Sequence, residues 1–155
     1  MRAEIVTEAR QWIGTPFHHQ GRIKAVGVDC VGVIVGICRD LALRSHIAGK
    51  DGDLLPLSAF DQTDYAREPQ GKLLEQKLDA FLDRISPDSM EPGDVALFVM
   101  ARHPQHVGIV GDYVGGGLSL IHAYESVGRV CEHGFNDKWR RRVTAAYRFR
   151  ADAFL

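Results

Sequence analysis

Three side chains, far apart along the chain, are of the types that activated-nucleophile chemistry uses: Cys30, His106 and His122. Cys30 lies in "VGVDCVGVIVGICRDL", residues 26 to 41, between Asp29 and a run of small and β-branched residues. A thiol attacks as its thiolate, and near neutral pH that form needs a helix N-terminus or an imidazole within reach. The imidazole that takes the proton needs a polar group to fix its tautomer and orientation. Cys30 as nucleophile, His106 as general base and His122 as orienting third group meet these needs. Backbone N–H groups at the start of a Cys30 helix would stabilise an acyl-transfer oxyanion. Asp29 falls at the cap of that helix, where it can satisfy an orphan N–H; its charge opposes thiolate formation, so facing a substrate is its other reading. The same atoms allow a second chemistry, a three-ligand zinc site of Cys30, His106 and His122 with an open water position. The absence of closely spaced ligand pairs weighs against it.

These groups meet only if the right elements carry them. "AEIVTEARQWIG" repeats Ile5, Val6, Ala9, Trp12 and Ile13 near a period of 3.6, which predicts a helix over residues 3 to 13, stopped by Gly14 and Pro16. The Cys30 stretch is β-branched but runs to Leu43 without turn residues, so a buried helix is expected, with Gly32 and Gly36 allowing close packing. Residues 45 to 69 read as loop with a short helical turn. Residues 72 to 85, "KLLEQKLDAFLDRI", form a leucine-striped amphipathic helix. After the turn-rich "SPDSMEPGD", short strands take over: "DVALFVM", "HVGIVGDY", "LSLIHAYE", "GRVCEH" and "TAAYRFR". Helices first and strands afterwards predict an α+β fold with an antiparallel meander sheet. If the "VGGG" hairpin is centred on a residue, cross-strand partners have numbers with an even sum. His106 and His122 then share a face as opposite or diagonal neighbours.

Cysteine on a helix followed by histidines on strands is the papain-like order. "IGTPFHHQG", "VDCVG", "HVGIV" and "LIHAYE", in that sequence from about Glu8 to Phe149, resemble the NlpC family of papain-like cell-wall peptidases. The wording "GTPFHHQ", "DCVG", "HAYE" and "WRRRVTAAYRF" is similar to its bacteriophage and gene-transfer-agent branch. The resemblance implies N-terminal helices packed on a C-terminal antiparallel sheet. It also implies a cysteine endopeptidase that cuts peptidoglycan stem peptides, typically between γ-D-glutamate and a diamino acid, without a cofactor. Family roles fall on Cys30, His106 and His122, and on Asp29 as a binder of the stem peptide's free amine. Where many relatives have a tyrosine that reaches into the site, this chain has Phe17 followed by His18. The loop to Cys30 is about one residue longer, which would let His18 take the tyrosine's place. Phe17, His18 and Asp29 are thus the expected substrate-binding residues. A non-catalytic tail-assembly or wall-binding module of the same fold is the alternative.

Composition limits the other classes. With 155 residues, 45% hydrophobic and 25% charged, the chain can bury a sizeable core, and one domain over 1–155 is expected. The formal net charge of -1 gives no broad basic surface for nucleic acid. The basic run Lys138 to Arg142 reads as a solvated strand or loop edge. No segment approaches the ~20 apolar residues of a membrane span, and the N-terminus lacks a secretory pattern. Synthesis in the cytoplasm and export inside a phage or gene-transfer-agent tail, bound to tail-tip proteins and acting at the periplasmic wall, follow as expectations from that pattern and the resemblance. Three scattered cysteines suit neither a disulfide framework nor a zinc ribbon, and Cys38 and Cys131 read as thiols without a task. His18 apart, the remaining histidines, His133 among them, read as solvated or hydrogen-bonded loop residues.

Overall fold

The 3.6-residue repeat of the N-terminus forms helix α1 (Arg2–Gln11), which buries Ile5, Val6 and Ala9, with Trp12 at its C-cap fully enclosed. The structure, a computed structural model, describes residues 1–67 and 71–154. A short hairpin, β1 (Arg22–Ile23) and β2 (Gly27–Val28), leads into helix α2 (Cys30–Asp40). The glycines of α2 serve close approach, as their spacing predicts. A Cβ at Gly36 would lie 2.0 Å from the Trp12 ring and one at Gly32 would lie 2.3 Å from the Gly21 carbonyl oxygen. No larger residue fits either place without displacing the chain, and α2 therefore beds directly on α1 and the preceding loop.

Residues 45 to 69 depart from the expected loop. β3 (Arg44–Ala48) and β4 (Leu54–Pro56) pair as an antiparallel hairpin, followed by a 3₁₀ turn at Leu57–Phe60; residues 68 and 69 lie outside the described residues. The hairpin is short and bulged and buries only Ser45, so it lacks the apolar alternation that marks a strand. The leucine-striped helix is also shorter than its pattern: α3 (Leu73–Phe81) ends where Leu82 turns extended and the chain enters β5 (Asp83–Ile85). Ile85 belongs to the strand, which recruits it by pairing with Ala146.

The remaining strands are β6 (Val95–Met100), β7 (His103–Asp112), β8 (Leu118–Tyr124), β9 (Arg129–Gly134) and β10 (Val143–Arg148), with the short helix α4 (Asp137–Arg140) between the last two. Every pairing in the six-stranded sheet is antiparallel, in the order β5-β10-β6-β7-β8-β9. This is the expected α+β architecture, N-terminal helices on a C-terminal meander sheet.

Period-two alternation divides the sheet's side chains into two cores. Val95, Leu97, Val107, Ile109, Ile121, Ala123 and Tyr147 join the cluster of α1 and α2, whereas Ala96, Phe98, Val110, Leu120 and Ala146 pack with Phe135 and Trp139. The basic run Lys138 to Arg142 is a short helix and turn, solvated except for the buried Trp139. Arg140 and Arg142 lie over the rings of Phe135 and Trp139, at 5.1 and 5.5 Å from the centroids. No helix among the described residues is long and apolar enough to cross a membrane.

Candidate active site

Turn chemistry sets the geometry of the two histidines. Gly115, Gly116 and Gly117 all have φ between 79° and 109°, a conformation that glycine adopts without strain. They close the β7–β8 hairpin, whose pairs Ile109↔Ile121 and Asp112↔Leu118 centre it on Gly115. The sum is even, so His106 and His122 share a face, and they are diagonal neighbours. Gly108 leaves the space between them: a Cβ there would lie 2.5 Å from Leu120 and 3.1 Å from the His122 Cβ. His106 Nε2 meets His122 Nδ1 at 2.7 Å. On the other side His122 Nε2 meets His133 Nε2 at 2.8 Å, and His133 Nδ1 lies 2.9 Å from the Gly134 carbonyl oxygen.

His133 is therefore not a loop histidine. It is in β9, one step diagonal from His122, since Leu120 pairs with His133 and His122 with Cys131. Trp139 covers the row, with ring centroids 5.7, 4.8 and 5.8 Å from those of His106, His122 and His133. Tyr124 stacks on His122 at 5.4 Å. His122 is fully buried and His106 nearly so. Burial disfavours the cationic forms: the His106 imidazole is pulled down to about 3, by burial and then by the positive charge of Arg142. His122 is lowered in the same way, by burial and its two imidazole neighbours.

Cys30 opens α2, with Asp29 as its N-cap. The thiol is half-buried and lines a cleft of about 210 Å³ whose walls include Phe17, Val31, Ile34, Phe60, Leu74 and Val107. Its sulfur is level with His106 on β7: Sγ lies 3.9 Å from the Gln105 carbonyl oxygen, and the Val107 backbone N–H is directed at it. Among the described residues no hydrogen bond joins Cys30 to His106; the resting thiol is aimed at Gln105 instead. Burial, and then the negative charge of Asp29, push this thiol up to about 12, against the N–H groups of Val107 and Val31 and the charge of Arg22. The helix N-terminus does not win: the resting pair is neutral thiol and neutral imidazole, not the thiolate that the cap position alone suggests.

Asp29 is 4% exposed, and its carboxylate is already engaged. Oδ1 accepts from the Gly32 N–H at 2.8 Å and from Arg22 at 2.9 Å; Oδ2 accepts from the Gln20 N–H at 2.9 Å and from the Tyr65 hydroxyl. Burial and Asp29 raise Tyr65, which keeps it a donor. Phe17 lines the cleft. The His18 ring turns to the His19 carbonyl, 2.9 Å away, and it is His19 that lines the cleft and meets Tyr65 edge-on at 5.5 Å. The hydroxyl that meets Asp29 thus comes from Tyr65, after β4, while the ring of His18 is engaged elsewhere. A lone tyrosine in a polar, aperiodic stretch carries no sequence signal for that role.

The metal set proposed from sequence is not the one that assembles. Among the described residues the group with metal-ligand chemistry is His122, Cys131 and His133, whose donor atoms lie within 4.8 Å of one another; Cys30 and His106 are outside it. Cys131 pairs with His122 across β8 and β9, which no spacing along the chain reveals.

The chain matches the NlpC/P60 family over residues 14–148. It belongs to that family. The fold is similar to that of the NlpC/p60 domain of the peptidoglycan hydrolase SagA, with a TM-score of 0.59 at 21% identity, covering 95% of this chain and 97% of that one. It is also similar to an NlpC/P60 family protein from Bacillus cereus, with a TM-score of 0.61 at 15% identity over 96% of this chain. A Staphylococcus aureus protein of the NLP/P60 family, similar to lipoprotein, gives 0.58 at 18% identity over 95%. The chain spans 40% of the length of each of the latter two. No curated protein sequence matches it. Family and fold together make this a domain of the NlpC/P60 family.

Proposed function

We propose that the chain is a cysteine endopeptidase of peptidoglycan stem peptides, with Cys30 as nucleophile, His106 as base and His122 as the group that orients it. The observation that carries this reading is the placement of Cys30 at the open end of α2, lining a cleft and lying against the β7 backbone on both sides of His106, whose Nε2 is already held by His122. Only Nδ1 of His106 is then left for the thiol. On substrate entry the S–H turns from the Gln105 carbonyl to that nitrogen, and His106 takes the proton as sulfur attacks the scissile carbonyl carbon. Two first-turn N–H groups are already used: Gly32 donates to Asp29 Oδ1 and Val33 to the Asp29 carbonyl. That of Cys30 is left to hold the oxyanion, joined by that of Val31, which is directed at the sulfur in the resting site. The intermediate collapses as His106 gives its proton to the leaving amine. Water, deprotonated by the same imidazole, then cleaves the thioester and frees Cys30.

The γ-D-glutamyl to diamino acid bond is the proposed target, supported by the motif resemblance and by the peptidoglycan hydrolase named among the similar structures. Delivery with a phage or gene-transfer-agent tail, bound to tail-tip proteins, is proposed on the resemblance alone. Incubation with defined muropeptides, with products weighed by mass spectrometry, tests the reading. A new amine at the diamino acid is expected, and its loss in Cys30→Ala. One observation favours a second reading, a zinc-dependent hydrolase: the grouping of His122, Cys131 and His133. Under it cleavage would survive Cys30→Ala and disappear with a chelator.

A further inference from the structure

The row of imidazoles does not stop at His122, and its far end fixes its direction. The Gly134 carbonyl oxygen, 2.9 Å from His133 Nδ1, can only accept, so Nδ1 of His133 carries the proton. In a neutral ring Nε2 of His133 then has the lone pair, and at 2.8 Å it accepts from His122 Nε2–H. His122 in turn presents the lone pair of Nδ1 to His106, 2.7 Å away, which must donate from Nε2. A neutral His106 donating from Nε2 has its lone pair on Nδ1, the one tautomer that can take a proton from Cys30. Reversing any link would place two N–H groups, or two lone pairs, face to face beneath Trp139, in a row whose His106 and His122 rings are buried.

We propose that His133 is a positioning residue which, tethered to the Gly134 carbonyl, sets the tautomer of His122 and through it makes Nδ1 of His106 the base. The proposal rests on the peptidase reading for its consequence in rate, but the proton positions it assigns exist without turnover. It therefore separates acceptors from donors at position 133, which a merely structural role would not. His133→Gln keeps an acceptor for His122 Nε2–H. His133→Ala removes it. His133→Lys puts only donors there, which forces the lone pair of His122 onto Nε2 and its proton toward His106.

The test has two arms. In ¹⁵N-histidine-labelled Cys30→Ala protein, two- and three-bond ¹H–¹⁵N correlations are expected to show His122 and His106 as Nε2–H tautomers and His133 as Nδ1–H. His122 protonated on Nδ1 overturns the proposal whatever the enzyme's activity. In the active protein, kcat is expected to fall within about threefold for Gln, by about tenfold for Ala and by about 100-fold or more for Lys, on the scale of supporting-group and wrong-tautomer effects. Thermal unfolding of each variant is followed in parallel. Folded Gln no better than Ala, or folded Lys no worse than Ala, overturns it. So does one zinc ion per chain in active protein that is lost in Cys131→Ser, because a metal would then occupy His122 Nε2 in place of the proton.

Discussion

Asp29→Asn separates two roles that the sequence leaves open for this carboxylate, and the structure assigns opposite signs to its effects. Asparagine is as good an N-cap as aspartate, so the bond from the Gly32 N–H survives. If the amide oxygen takes the place of Oδ1, the NH₂ group faces the Gln20 N–H, a donor against a donor, while Tyr65 can turn its hydroxyl to accept. One buried donor left unmet costs about 1–3 kcal/mol, and the charge-assisted bond from Arg22 weakens although Asp61, 3.0 Å away, still holds that guanidinium. The expected loss is about 2–4 kcal/mol, or roughly 5–15 °C in Tm for a chain of this size. The thiol gains at the same time. Asp29 is the second largest cause of its raised pKa, and removing a like charge of this kind lowers such a group by about one unit. Alkylation of Cys30 by iodoacetamide at pH 8, read by mass spectrometry on its tryptic peptide, should therefore quicken by about tenfold while the fold weakens. A Tm within about 2 °C of wild type together with an unchanged alkylation rate would mean that the carboxylate neither holds these donors nor raises the thiol. If the carboxylate served a substrate amine instead, KM would rise with stability intact.

His106 and His122 are both held below the ordinary histidine range by burial, so the stability they contribute is present above about pH 6.5 and is lost as pH falls toward about 3. Each contributes a slope of ~1.4 kcal/mol per pH unit in that window; urea unfolding at pH 7, 6, 5 and 4 checks it, and a flat profile contradicts it. At high pH the sign is opposite. Cys30 and Cys38, both pushed up to about 12 by burial, favour the fold below about pH 9 and lose that contribution as pH rises toward 12. His122→Asn or His122→Gln should lower kcat less than His122→Ala, since an amide oxygen still accepts from His106 Nε2; equal losses would mean that His122 does not orient the base.

What the sequence could tell depended on whether a signal was periodic. The α2 helix was legible because its apolar run is too long for a strand, and Gly32 and Gly36 announced the contacts with Gly21 and Trp12 that no larger residue permits. The shared face of His106 and His122 was legible only as a condition, that the glycine-rich hairpin is centred on a residue, which the register meets at Gly115. The β3–β4 hairpin was invisible because almost nothing in it is buried. His133 and Cys131 were missed for another reason: their meeting with His122 depends on the β8–β9 register, which the loop before Arg129 sets without a diagnostic turn. The cap position of Asp29 is legible from its place before the α2 run. Its partners are not, since Gln20, Arg22 and Tyr65 reach it from three different positions along the chain.

In the proposed mechanism the Cys30 sulfur forms a bond to the substrate's acyl group. Intact-mass spectrometry of the protein, quenched in acid within the first turnovers on a muropeptide, tests it most directly. The predicted result is a transient mass increase equal to the acyl fragment, mapped by digestion to Cys30 and absent in Cys30→Ala. Turnover with no adduct at any time, retained in Cys30→Ala and abolished by a zinc chelator, would contradict it.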